Sequence, residues 1–69
     1  MKQTQKILDY IDRFGSITPL DAMRDLGIMR LAARIQDIEH QGVKINSVME
    51  TGVNRLGEKT HYARYSRAV

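Results

Sequence analysis

The sequence predicts an α+β domain in which three helices precede a β-hairpin and one short strand lies between the first two helices. Three observations predict it. Apolar residues recur at helical spacing in three segments before residue 42, they alternate with polar residues after it, and glycines stand where one element gives way to the next. The predicted order is α-β-α-α-β-β, in a single domain over residues 1–69.

The first predicted helix is the segment TQKILDYIDRFG. Thr4 is its expected N-cap, and Gly15 ends it because glycine readily takes the left-handed conformation of a helix C-terminus. Ser16 and Ile17 then form a short extended link that can pair at the edge of a sheet. The apolar stripe expected in the core consists of Ile7, Leu8, Ile11 and Phe14.

The second predicted helix has strong start signals. Thr18 can cap it, Pro19 suits the first helical position, and Asp21 stands where the acid of a capping box belongs. Gly27 stops this helix directly after Leu26. The residues expected to face the core are Leu20, Met23 and Leu26.

The third predicted helix runs from about Met29 to Gln41 and is stopped by Gly42. Its core side is expected to consist of Ile28, Leu31, Ala32, Ile35 and Ile38. Two helices joined by a short turn around one glycine form a helix-turn-helix unit. The other sides of the third helix carry Arg30 and Arg34, so these sides are expected to be exposed and available to a partner.

The chain ends in a predicted β-hairpin. VKINSVMETGV and KTHYARY are rich in β-branched and aromatic residues, and Asn54 and Gly57 supply turn chemistry between them. Arg55 and Lys59 make the tip of the hairpin basic. Three helices followed by such a hairpin give the winged helix-turn-helix arrangement, in which the hairpin is the wing.

Composition narrows the class of function. The chain has 69 residues, 11 Lys and Arg against 8 Asp and Glu, and no cysteine. Residues 1–41 are neutral, so the net charge of +3 lies in residues 42–69, which favours a polyanionic partner. The two histidines have no metal-ligand spacing, and so small a domain has little room for a catalytic cleft. We therefore expect no enzyme activity, no metal and no cofactor.

The sequence shows no signal for a membrane or for export. The sequence has no apolar run of membrane-spanning length, and its N-terminus lacks the apolar stretch of a signal peptide. We expect no membrane partner and a cytoplasmic location. No phosphate-binding glycine loop or other small-molecule motif is present.

The third helix and the hairpin are the candidate binding elements. Arginine can pair with guanine in the major groove, and a small side chain such as Ala33 allows close approach to bases. Basic residues of the hairpin suit phosphates or the minor groove. The predicted DNA-contacting residues are Met29, Arg30, Ala33, Arg34, Asp37, Lys44, Arg55 and Lys59.

Other interpretations of the same residues stay open. Arg34 can pair with Asp37 three residues later on a solvated helix face. Basic residues on exposed strands can merely discourage strand-to-strand aggregation. The same fold can also act as an adaptor that binds a host or phage protein, or as an architectural protein that bends DNA for recombination.

The segment GSITPLDAMRDLGIMRLAARIQDIEHQG, followed by a basic hairpin ending in ARY, resembles the helix-turn-helix domain family of small phage and prophage proteins. The similarity covers Lys6 to Tyr65. It consists of a Gly-Ser-Ile-Thr opening, an Arg-Leu-x-Ala-Arg-Ile segment and a hairpin with a central Asn-Arg-x-Gly. The residues that carry it most specifically are Arg30, Leu31, Ala33, Arg34, Ile35, Asp37, Asn54, Arg55 and Gly57.

The resemblance implies a winged-helix fold and sequence-directed binding of double-stranded DNA. A phage or prophage transcriptional regulator in the cytoplasm or nucleoid of a bacterial host is the expected role. Because one such domain makes few phosphate contacts, we expect a homodimer or a cooperative array on DNA.

Overall fold

A computed structural model describes residues 2–68 and shows three helices followed by a two-stranded antiparallel sheet. The second of these helices starts as an α-helical turn and continues directly as a π-helix. The elements are α1 (Gln3–Phe14), α2 (Pro19–Asp21 with Ala22–Leu26), α3 (Leu31–His40), β1 (Ile45–Val53) and β2 (Lys59–Arg67). The predicted α+β winged-helix class is confirmed.

One apolar core joins the three helices to the link that follows α1. Ile7, Ile17 and Ile38 are completely inaccessible to solvent. Removing an isoleucine side chain of this kind from water contributes about 2 kcal/mol. The remaining buried apolar residues are Ile11, Ala22, Ile28, Leu31 and Ile35.

The sheet is joined to this core at one end. β1 and β2 pair without interruption from Ile45 opposite Arg67 to Val53 opposite Lys59. The predicted short strand is a single bridge, in which Ile17 and Tyr65 exchange backbone hydrogen bonds of 2.8 and 2.9 Å. Ile17 therefore lies beside β2, on the side away from β1.

The predicted start of α2 is confirmed in detail. The Thr18 hydroxyl accepts a hydrogen bond from the Asp21 amide at 3.2 Å, and the Asp21 carboxylate accepts one from the Thr18 amide at 3.1 Å. Pro19 occupies the first helical turn. Gly27 ends the helix with a φ of +69°, a conformation that favours glycine.

The predicted core face of α2 was wrong in two of its three residues. Leu20 and Met23 are 59% and 47% exposed, Leu26 is half-buried, and Ala22 occupies the core instead. For Met23 the cause is the π-helical winding of Ala22–Leu26, in which the Gly27 amide donates to the carbonyl of Ala22 five residues earlier. A wider turn rotates side chains away from the 3.6-residue spacing on which the prediction relied. Leu20 precedes this segment and lies two residues before the buried Ala22, on the opposite side of the helix.

The ends of α1 differ from the prediction. Lys2, not Thr4, is the N-cap, and its side chain makes no capping hydrogen bond. Phe14 is 67% exposed and packs against the Tyr10 ring, with ring centroids 4.6 Å apart and the ring planes at 50° to each other. Ile11 and Ile17 fill the core near this end, so the Phe14 ring remains outside.

Helix α3 is shorter than predicted. It runs from Leu31 to His40, so Met29 and Arg30 belong to the turn before it. Ala32 is exposed rather than buried in the core, whereas Ala33 is half-buried. The apolar side of α3 is thus narrower than the sequence pattern indicates.

Candidate nucleic-acid interface

The first turn of α2 lies between the start of α3 and the outer half of the hairpin. Pro19 lines a shallow cavity together with Met29, Arg30 and Ala33. It also lines a second cavity whose other wall includes Gly52, Val53, Thr60 and Tyr62 of the hairpin. The two candidate binding elements therefore flank the same helical turn.

Met29 and Arg30 are presented to solvent immediately before α3. Met29 is 76% exposed, and Arg30 is exposed as well. Arg30 is the N-cap residue of α3, but its guanidinium only donates hydrogen bonds and so cannot cap the free amides at the start of the helix. Ala33, which is half-buried beside these two residues, has a small side chain that leaves room for a ligand to approach.

Arg34 and Asp37 lie on the side of α3 that is next to the start of α1. The Arg34 Nε atom is 3.2 Å from an Asp37 carboxylate oxygen, and the two side chains are 38% and 49% exposed. The Nε–H is not aligned with that oxygen, so the contact is an ion pair without a hydrogen bond. Both residues line a cavity with Gln3 and Thr4, at the start of α1.

Gln36 is a candidate that the sequence interpretation missed. It is exposed on α3, one turn beyond the exposed Ala32. A glutamine amide can donate and accept at once, as adenine recognition in the major groove requires. Its position opposite Leu31 and Ile38 on the helix is the sequence signal that could have identified it.

The hairpin turn is organised by the side chain of Asn54. Its amide oxygen accepts hydrogen bonds of 2.9 Å from the backbone amides of Leu56 and Glu58. Its amide nitrogen donates to the Glu58 carboxylate at 3.3 Å, and Gly57 completes the turn with a φ of +81°. Side-chain bonds of this kind hold a turn in one conformation before any partner binds.

This turn presents a cation and an apolar side chain next to each other. Arg55 and Leu56 lie at its tip, and Leu56 is 83% exposed, a further candidate that the sequence interpretation missed. Lys59 is exposed at the first position of β2, and Lys44 is exposed just before β1. The tip can therefore offer charge and an apolar contact to the same ligand.

The model of the family described as "Winged helix-turn-helix domain" matches residues 2–69 of the chain. The chain belongs to the winged helix-turn-helix domain family. Winged helix-turn-helix domains are typically DNA-binding modules without enzymatic activity, so membership indicates DNA as a partner. No curated protein and no solved structure matches the chain at a significant level.

Four arginines of this winged domain are occupied by neighbouring acids. Besides Arg34, Arg24 contacts Asp21 and Asp25 at 3.0 and 2.9 Å. Arg64 pairs with Glu50 at 2.9 Å and also donates to the Ser16 hydroxyl. Arg67 binds both carboxylate oxygens of Asp12 in α1, at 2.7 and 3.2 Å.

Apart from Arg34, the cations predicted to contact DNA are not occupied in this way within the described residues. Within residues 2–68, no ion pair involves Arg30, Lys44, Arg55 or Lys59. Glu58, the acid nearest to the tip in sequence, is hydrogen-bonded to Asn54. The wing's basic excess is therefore available to an external anion.

Other types of site are not evident in the described part of the chain. Residues 2–68 contain no group of histidines and acids arranged to hold a metal ion. None of their helices has the length and apolar character needed to cross a membrane.

Proposed function

We propose that this winged domain binds double-stranded DNA in a sequence-directed manner, with α3 in the major groove and the hairpin tip on the adjacent minor groove or backbone. One observation carries the proposal: within residues 2–68, Arg30 beside the start of α3 and Arg55 and Lys59 of the wing make no ion pair, and the two elements that carry them flank the same turn of α2. Phosphates supply the missing negative charge.

Base recognition is assigned to the start of α3 and its exposed side. Arg30 suits the O6 and N7 atoms of guanine, and Gln36 suits adenine. Ala32 and Ala33 allow the helix to approach base edges closely, and Met29 supplies an apolar contact for a thymine methyl group. Arg34 and Asp37 then act at the flank of the helix, where Arg34 can turn towards the backbone.

The wing is assigned to the neighbouring backbone and minor groove. Arg55 reaches a phosphate or the groove floor, Lys59 binds a phosphate, and Leu56 contacts sugar or base edges. Because Asn54 already holds the turn, little conformational entropy is lost when the tip docks. Lys44, at the base of the hairpin, adds a backbone contact.

The biological role that fits is transcriptional regulation, with a phage or prophage as the source and the cytoplasm or nucleoid of a bacterial host as the location. The support is the similarity of the Arg-Leu-x-Ala-Arg-Ile and Asn-Arg-x-Gly segments to small phage and prophage proteins. DNA bending for recombination uses the same interface, and a bending assay on the selected site distinguishes it from repression.

The test is fluorescence-anisotropy binding to a pool of random duplex DNA at low and physiological salt, followed by selection of the bound sequences. We expect a steep loss of affinity with salt and a recurring motif among the selected sequences. Arg30→Ala should weaken binding about tenfold or more and relax the motif at one position. Arg13→Ala is the matched control, because Arg13 is an exposed arginine of α1 outside the interface.

Absence of DNA binding even at low salt would contradict the proposal. Equal losses for Arg30→Ala and Arg13→Ala would contradict the assigned interface. In the first case, a protein-binding adaptor that uses exposed Met29 becomes the better account.

A further inference from the structure

β1 is a long edge strand without the usual protection. It spans Ile45–Val53, and within residues 2–68 only β2 pairs with it. Its sequence, INSVMETGV, contains no lysine, arginine or proline, and its unbroken register leaves no bulge. Natural sheets normally use these features to prevent edge-to-edge pairing. The one charged residue of β1, Glu50, is paired with Arg64.

The basic residues of the sheet lie on the other strand. Lys59, Arg64 and Arg67 all belong to β2, whose far side is already bridged by Ile17 at Tyr65. These cations cannot block the outer edge of β1. The expectation that basic strand residues discourage edge pairing therefore does not apply to the strand that is exposed.

The backbone hydrogen bonds show which groups of β1 point outward. Tyr65 exchanges both of its backbone bonds with Ile17, so its N–H and C=O point away from β1. Ser47, directly opposite Tyr65, must then point its own N–H and C=O away from β2. Because the pattern repeats every two residues, the outward-facing residues are Ile45, Ser47, Met49, Thr51 and Val53.

This edge is complementary to itself. Met49 is the middle one of the five outward-facing residues, so a twofold axis beside it, midway between two paired edges, places Met49 opposite Met49 of a second copy. Ser47 then lies opposite Thr51, and Ile45 opposite Val53. The only acid, Glu50, lies opposite Val48 rather than another acid, so no like charges meet.

We propose that two copies of this chain pair antiparallel through β1, centred on Met49, to form a continuous four-stranded sheet. All five outward-facing residues find backbone partners in this register. Met49 and Val53, which are 66% and 69% exposed, gain apolar neighbours across the new edge. An acidic or basic partner strand finds no complementary charge along the outward-facing positions, which favours a second copy.

The dimer relates the two α3 helices by a twofold axis perpendicular to the sheet. Twofold-related DNA-binding helices match inverted repeats in DNA. This consequence rests on the proposed function, but the pairing itself follows from the strand edge alone. Association in the absence of DNA therefore tests the inference separately.

The experiment is sedimentation equilibrium of the full chain without DNA, from ~1 μM to ~1 mM, a range that brackets weak and moderate dimers. We expect a reversible monomer–dimer equilibrium. Met49→Lys places two ammonium groups opposite each other at the axis and should raise the dimer dissociation constant at least tenfold, an effect of about 1.4 kcal/mol. Ser47→Pro removes an outward-facing N–H and should have the same direction of effect.

Val48→Lys is the matched control. Val48 is also exposed, at 59%, but its backbone points towards β2 and its side chain would meet Glu50 of the second copy. This variant should dimerise at least as strongly as the unmodified chain. Circular dichroism of each variant checks that the fold is intact.

Three results would overturn the inference: a monomer at every concentration, a dimer insensitive to Met49→Lys and Ser47→Pro, or equal weakening by Met49→Lys and Val48→Lys. The affinity of each variant for a DNA half-site, which one copy can bind, is measured separately, so that failure of the dimer and failure of the proposed function can be told apart. If Met49→Lys is monomeric but keeps its half-site affinity, both proposals are supported. If the unmodified chain dimerises but does not bind DNA, only the dimer proposal is supported.

Discussion

Arg24 and Arg55 are the same residue type in opposite settings. The Arg24 guanidinium donates to Asp21 at 3.0 Å and to Asp25 at 2.9 Å, and the Tyr10 hydroxyl donates to Asp25 at 2.6 Å. The Arg24 and Tyr10 hydrogen bonds lower the pKa of Asp25 to about 2, and the same carboxylate raises the pKa of the Tyr10 hydroxyl. This network ties α2 to α1.

Arg55 has no such network. Within residues 2–68 its guanidinium makes no ion pair, and the turn that carries it is held by Asn54 instead. Arginine content alone therefore does not locate a DNA interface. An arginine that is already neutralised contributes to the fold, whereas an unpaired arginine on a fixed turn is suited to an external phosphate.

The largest expected effect concerns the unpaired arginines. Arg30→Ala combined with Arg55→Ala should lower DNA affinity about 100-fold at physiological salt, since each contact contributes about 1–3 kcal/mol. The melting temperature should change little, because neither side chain makes an ion pair within residues 2–68. Anisotropy and thermal melting measure the two effects.

The control removes the same charge from paired positions. Arg24→Ala combined with Arg67→Ala should lower the melting temperature and leave DNA affinity within a few-fold of that of the unmodified domain. An affinity loss as large as that of the first pair would contradict the distinction between the two groups.

A second effect concerns the turn itself. Asn54→Ala removes the acceptor of two backbone hydrogen bonds and should lower DNA affinity about tenfold, because the tip must then be ordered on binding. Asn46→Ala in β1 is the control, since the Asn46 side chain makes no hydrogen bond within residues 2–68. Similar affinities for the two variants would show that the turn needs no support from Asn54.

A third effect should appear only in stability. Thr18→Ala removes the N-cap of α2 and should lower the free energy of unfolding by about 1 kcal/mol. Thr18→Ser keeps the hydroxyl and should recover most of this loss. Urea denaturation measures both variants, and an unchanged unfolding midpoint for Thr18→Ala would show that Asp21 and Pro19 suffice to start the helix.

The smallest effect is the pH dependence of the Asp25 network. Because the pKa of Asp25 is lowered from 3.8 to about 2, its carboxylate stabilises the fold above pH 3.8. That stabilisation is lost as the pH falls from 3.8 through about 2. Asp25→Asn should therefore be less stable than the unmodified domain at pH 7 but converge with it near pH 2. Parallel stability curves over this range would contradict the assignment.

Local chemistry made much of the fold predictable. The capping box of Thr18 and Asp21, and the turn residues Asn54 and Gly57, act over fewer than five residues, and the structure contains each of them. The π-helical winding of Ala22–Leu26 was not predictable from apolar spacing, because that spacing assumes 3.6 residues per turn. Met23 was misplaced for this reason, whereas Leu20 precedes the π-helical segment and lies opposite the buried Ala22.

The candidate site was less predictable than the fold. The sequence indicated a basic wing, but it could not show that Arg67 binds Asp12, 55 residues away, or that Arg64 binds Glu50 across the hairpin. These pairings depend on tertiary packing and strand register. Only after they are known can Arg55 and Lys59 be separated from the paired cations of β2.

The most direct test of the account is the salt dependence of DNA binding by three proteins: the unmodified domain, Arg55→Ala and Arg24→Ala. The logarithm of the binding constant is plotted against the logarithm of salt concentration. Loss of one phosphate contact reduces the magnitude of the slope by about 0.9. We expect this reduction for Arg55→Ala and an unchanged slope for Arg24→Ala. Equal slopes for the two variants, or a reduction confined to Arg24→Ala, would contradict it.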